Sequence, residues 1–75
     1  MVNASQSRAN TGTGNTEYNL VSILYHSLEE AATCEQYMAD AEQQNDQDIA
    51  QFLREVQDED RRRADRAKQL LKNRL

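Results

Sequence analysis

The sequence predicts an all-α protein, an antiparallel two-helix hairpin that oligomerises into a four-helix bundle, and three observations carry that prediction. The 75 residues contain no proline, and both glycines fall in the first sixteen positions. The remainder is rich in Ala, Leu, Glu, Gln and Arg, a helix-forming composition. Two long stretches repeat their apolar residues at intervals of three and four, a helical stripe that no strand would show. Only two or three residues separate these stretches, and helices joined so tightly must run antiparallel.

In chain order, residues 1–15 form a Ser/Asn/Thr/Gly tract with few apolar side chains. We read them as a disordered N-terminal tail, a solubilising linker rather than part of a core. The tract lacks an apolar segment of signal-peptide length, and no later stretch approaches the roughly 20 apolar residues of a membrane span. Asn3-Ala4-Ser5 matches a glycosylation acceptor in form, but without a secretory signal it carries no weight. Cys34 is the only cysteine, so an intrachain disulfide cannot form and a reducing, cytoplasmic location is expected.

The hairpin domain spans residues 16–75. Thr16 is a suitable N-cap, with Glu17 placed to complement the helix dipole. The first helix is expected to reach about residue 44, with Leu20, Val21, Leu24, Leu28, Ala31, Ala32, Cys34 and Met38 on its apolar stripe. Asn45 can adopt the left-handed conformation that ends a helix, and Asp46 can cap the next. The second helix, about residues 47–73, carries Ile49, Phe52, Leu53, Val56, Ala64, Ala67, Leu70 and Leu71.

One hairpin of this size leaves part of its apolar stripe open to water, and small domains already bury a low fraction of their surface. Self-association through the apolar helix stripes is therefore expected, most simply as a dimer, or as a higher ring of dimers. Charge supports the antiparallel pairing. The first helix carries Glu17, Glu29, Glu30, Glu35, Asp40 and Glu42 and no lysine or arginine, whereas Arg61, Arg62, Arg63, Arg66, Lys68, Lys72 and Arg74 crowd the end of the second. A net charge of −4 and the neighbouring Asp58, Glu59, Asp60 and Asp65 argue against a nucleic-acid surface. The Arg61-Arg62-Arg63 run reads as a solvated, salt-bridged face, and neither nucleic acid nor membrane is expected as a partner.

With the turn near Asn45, residues whose numbers sum to about 90 lie at one height, which sets Glu30 opposite Asp60 with Arg63 less than a turn away. Ile23, His26, Glu30, Cys34, Tyr37 and Ala41 share one helical face, and Phe52, Val56, Asp60, Arg63, Ala67 and Leu70 share the other; these are the expected inward faces. Ionisable groups interrupt both at the same level. Burying charge is unfavourable unless it is paired, hydrogen-bonded or bound to a metal, so the coincidence marks a candidate site.

From Ser27 to Leu71 the chain resembles the ferritin-like superfamily, most closely the short two-helix encapsulated ferritins and more remotely the rubrerythrins. The resemblance rests on Glu30 followed seven residues on by Tyr37, with a second acidic group at Glu29, and on Asp60-Arg61-Arg62-Arg63 where the family carries Glu-x-x-His. Asp60 keeps a shorter carboxylate. Arg63 removes a ligand, because a guanidinium has no free lone pair and stays protonated. Gln36 stands where encapsulated ferritins place an aromatic residue, and no C-terminal extension of the kind that addresses cargo to a shell follows the second helix.

The resemblance implies two alternatives. In one, Glu30 and Asp60 from two symmetry-related hairpins hold iron or manganese, with His26, Tyr37 and Glu29 as further candidate ligands, and open positions allow Fe(II) oxidation by dioxygen. In the other, Arg63 takes the metal's place, no cofactor is present, and the bundle is a degenerate ferritin with a structural or interaction role. Any further protein partner is left open. Outside the metal reading, His26 is a packed histidine, Tyr37 fills the bundle edge, and Cys34 is a small core residue whose acidic neighbours disfavour the thiolate. The sequence has no Ser/His/Asp arrangement, glycine-rich phosphate loop or Cys/His cluster, so ferroxidase is the one enzyme class with support.

Overall fold

The computed structural model describes residues 15–74. Two helices account for nearly all of them, α1 (Asn15–Gln43) and α2 (Gln47–Lys72), packed side by side as an antiparallel hairpin. Each is roughly 40 Å long at about 1.5 Å per residue. Neither is long and apolar enough to cross a membrane. The expected tail, residues 1–15, lies outside the described residues except for Asn15, which already belongs to α1. Thr16 therefore sits in the first helical turn rather than at the cap position expected of it.

The link between the helices follows the sequence closely. Asn45 has φ 57°, the left-handed conformation that Asn tolerates better than most residues. The Asp46 N–H donates to the Ala41 carbonyl at 2.9 Å and the Asn45 N–H to that of Glu42 at 3.0 Å, a Schellman closure that satisfies two carbonyls at the end of α1. Asp46 is at once the last residue of that motif and the N-cap of α2, its Oδ1 accepting from the Ile49 N–H at 3.1 Å. Such a turn leaves no slack, and it fixes the register of everything beyond it.

The seam between the helices is built from small and polar side chains. Ser27, Ala31, Cys34 and Ala41 of α1 are buried against Ala50, Gln57, Asp60, Ala64, Ala67 and Leu71 of α2. Half-buried Leu20, Leu24 and Met38 complete a heptad run on α1, and Leu53 does so on α2. Alanines let two backbones come close, and the approach is close enough for Gln57 to bridge it. Its buried side-chain amide donates to the Ala31 carbonyl and to Glu35 Oε2, both at 2.8 Å. Two ion pairs, Arg54 with Glu42 and Arg61 with Glu35, join the acidic and basic helices at 4.0 and 3.9 Å. They are exposed and contribute little, on the order of 0–1 kcal/mol each.

This seam corrects the expected inward faces. Of the residues assigned to them, only Cys34, Ala41, Asp60 and Ala67 are buried. Ile23, Tyr37 and Phe52 remain exposed, Phe52 at 61%, because side chains of that size would hold the helices apart where the alanines bring them together. Most of the large apolar groups consequently flank the seam, and among the described residues the buried core contains a single large aliphatic side chain, Leu71.

Ala64, 1% exposed at mid-seam, provides the test. Ala64→Leu is expected to lower stability by about 1–3 kcal/mol or more through overpacking, read as a lower urea midpoint. An unchanged midpoint would mean that the backbones do not meet there.

Candidate functional site

The two helices form a furrow along one flank of the seam. Its centre, an open groove of about 510 Å³, is lined by Ile23, His26, Ser27, Glu29, Glu30, Thr33, Tyr37, Asp60 and Arg63. Toward the chain ends the groove continues past Ile23 to Leu20 and Leu70, and toward the turn it continues past Tyr37 to Ile49 and Leu53. The furrow is thus apolar at both ends and ionic in the middle. All five residues singled out as candidate ligands, Glu30, Asp60, His26, Tyr37 and Glu29, line the same groove with Arg63.

Asp60 is the buried member of the group, 1% exposed. Its Oδ1 accepts from Arg63 Nη1, one helical turn along α2, and the half-exposed guanidinium reaches back from the groove to make that bond. Oδ2 is also buried and has no hydrogen-bond partner among the described residues. Glu30, on the facing helix at the height expected from the turn, has its pKa raised above the ordinary glutamate value. The causes are the hydrogen bond its protonated form can make to Asp60, repulsion by the Asp60 charge and desolvation, with Arg63 opposing them. A proton on Glu30, or a cation beside it, relieves that repulsion. When Glu30 carries that proton, it can donate to the otherwise unpartnered Asp60.

The remaining candidates are arranged more loosely. His26 is exposed and its Nδ1 lies 3.8 Å from Glu29 Oε1, an i,i+3 contact at the rim rather than a ligand pointing at Asp60. Within the hairpin it is not packed, since the seam passes through Ser27 instead. Tyr37 is half-exposed in the hairpin. Cys34 is buried in the seam, and burial first, then Asp60, Glu30 and Glu35, push its thiol above the usual range, which makes it an inert core group. Within a single hairpin, the described residues contain no group of three or more His, Cys, Asp or Glu able to hold a metal ion. One arginine-neutralised carboxylate and one opposing glutamate are what a lone chain offers.

Sequence reasoning missed Gln57 and Ser27. The signal was present as a heptad: Ala50, Gln57, Ala64 and Leu71 recur every seven residues, as do Leu20, Ser27, Cys34 and Ala41. Weighting large side chains over small ones hid it.

The Glu30–Asp60 geometry has a pH signature with a definite sign. A carboxyl whose folded pKa is raised favours the folded state while protonated, and that contribution is lost as pH rises through the folded pKa. Glu30→Gln is therefore expected to raise the melting temperature at neutral pH, with the gain shrinking as pH falls below the raised pKa toward the usual glutamate range. A gain that stays constant with pH would remove the carboxyl pair from the account. Comparison of the chain with protein-family models, with characterised proteins and with solved structures returns no match.

Proposed function

We propose that this chain is a ferritin-like, self-assembling hairpin with a structural or interaction role, in which a second copy closes the furrow to complete a four-helix bundle and Arg63 takes the place of a metal ion. The need for a second copy follows from the core. A seam of alanines, one serine and one cysteine with a single buried leucine is thin for a hairpin this long, while Ile23, Tyr37, Ile49 and Phe52 stand exposed. A two-fold axis through the middle of the furrow would cover these residues and bring the ionic centres of two hairpins together. The single observation that favours the metal-free reading is the Arg63–Asp60 ion pair, a fixed positive charge already on the carboxylate that a metal would need.

A second reading has one observation of its own. Asp60 Oδ2 is buried without a partner beside Glu30, and two copies would bring two such pairs together. Glu30 and Asp60 from each hairpin would then hold iron, a hard-cation site that could support ferroxidase chemistry, once Arg63 swung into solvent. His26, Tyr37 and Glu29 would lie at its rim.

Native mass spectrometry with and without anaerobic Fe(II) separates the two. Even-numbered assemblies that gain no iron are expected, and a fixed iron count per dimer would favour the second reading. A monomer at micromolar concentration would defeat both. Arg63→Ala, which strands the buried Asp60 charge, is expected to cost about 1–3 kcal/mol in thermal or urea unfolding. Arg63→His should introduce Fe(II) uptake if the ion pair is what excludes the metal. Ile49→Glu probes the furrow without harming the helix, because it places a glutamate at the third position after the Asp46 cap, where glutamate is favoured. It is expected to prevent the hairpins from closing on one another.

A further inference from the structure

The furrow leaves a second apolar face of α1 unaccounted for. Tyr18, Val21, Tyr25 and Leu28 follow one another at intervals of three, four and three, a two-heptad seam, and all are exposed, between 44% and 59%. At about 100° per residue this stripe lies roughly opposite the furrow face of Ile23, Glu30 and Tyr37, with the α2 seam to one side. Tyr25 has partners on its own helix only: its hydroxyl reaches Glu29 at 3.5 Å and its ring meets His26 edge-on at 5.2 Å. Closing the furrow would therefore leave the stripe in water.

Two features identify what covers it. Residues 18–28 carry no Asp, Glu, Lys or Arg, in a chain where 29% of residues are charged. The rest of α1 is purely acidic, so this is the one length of the helix that can meet its own copy without like-charge repulsion. Apolar groups also occupy three sides of α1 over these turns, with Leu20 and Leu24 toward α2, Ile23 in the furrow and the stripe outside, and only the arc of Asn19, Ser22 and His26 is polar, whereas the buried residues of α2 lie on one side only. A helix with so narrow a polar arc fits inside an assembly better than at its surface.

We propose that the Tyr18/Val21/Tyr25/Leu28 stripe is a second self-association surface, on which α1 of one hairpin pairs antiparallel with α1 of another, so that assembly proceeds beyond a dimer. The antiparallel sense opposes the helix dipoles and sets Tyr25 against Val21 of the second copy, with Glu29 at the rim facing Ser22 rather than another carboxylate. This surface is separate from the furrow and does not depend on the metal question.

Sedimentation velocity over the micromolar range tests it with Tyr25→Glu and Val21→Lys, both at exposed helical positions, alongside Ile49→Glu. The expected result is a wild type larger than a dimer, each stripe variant reduced to a dimer with its helicity intact by circular dichroism, and an equimolar mixture of the two stripe variants restored to the larger mass. Stripe variants that keep the wild-type mass, a wild type that is only a dimer dissociated by Ile49→Glu, or a mixture that stays dimeric would each overturn the proposal. A dimer dissociated by Tyr25→Glu but not by Ile49→Glu would instead uphold the stripe and reject closure of the furrow.

Discussion

The close approach of α1 and α2 through small side chains is the constraint from which the rest of the molecule follows. Alanine at positions 31, 41, 50, 64 and 67 lets the backbones come near enough for one glutamine side chain to span them and bond a main-chain carbonyl. That approach buries Asp60, since a side chain at its seam position cannot reach water past the facing helix. A buried carboxylate needs a compensating charge or donor, and Arg63, one turn away on the flank, supplies it to one oxygen. The ionic centre of the furrow is thus a consequence of the seam as much as a feature added to it.

The same constraint dictates what is left outside. Where alanines bring the backbones together the seam has little room for large side chains; Ile23, Tyr37, Ile49 and Phe52 stand on the flank, and Tyr18, Val21, Tyr25 and Leu28 at the back of α1. In an ordinary small domain these groups would form the core. Here the core between the helices is made of the smallest side chains, and the largest apolar ones are presented outward.

Arg63 stands at the point where two kinds of chemistry diverge. Glu30 and Asp60 come together in the furrow, where hydrogen bonding to Asp60 and repulsion by its charge raise the Glu30 pKa, a setting that favours positive charge or a proton. A guanidinium meets that requirement permanently and without coordination chemistry, holding Asp60 by a directed hydrogen bond. Cys34 lies within the same field, and its suppressed acidity is a by-product of burial and of the neighbouring acids rather than a sign of reactivity.

Local chemistry made the helices and their turn legible from the sequence. The absence of proline, the spacing of apolar residues, Asn45 in the left-handed region and Asp46 as a cap all act within a few residues of one another, and the short turn then carried the register to Glu30 and Asp60. Glu30 and Asp60 could be paired for that reason, whereas His26, Tyr37 and Glu29 were named from their spacing to Glu30 and from the family resemblance, not from the register. The rotation of each helix about its own axis was decided only by the tertiary structure. Periodicity marks which residues share a face, but which of several apolar faces turns inward depends on how closely two backbones can approach, a property of both helices together. Gln57 and Ser27 entered the seam, and Phe52 and His26 left it, because small side chains admit a tighter contact than large ones, and that gain exists only once the partner helix is in place.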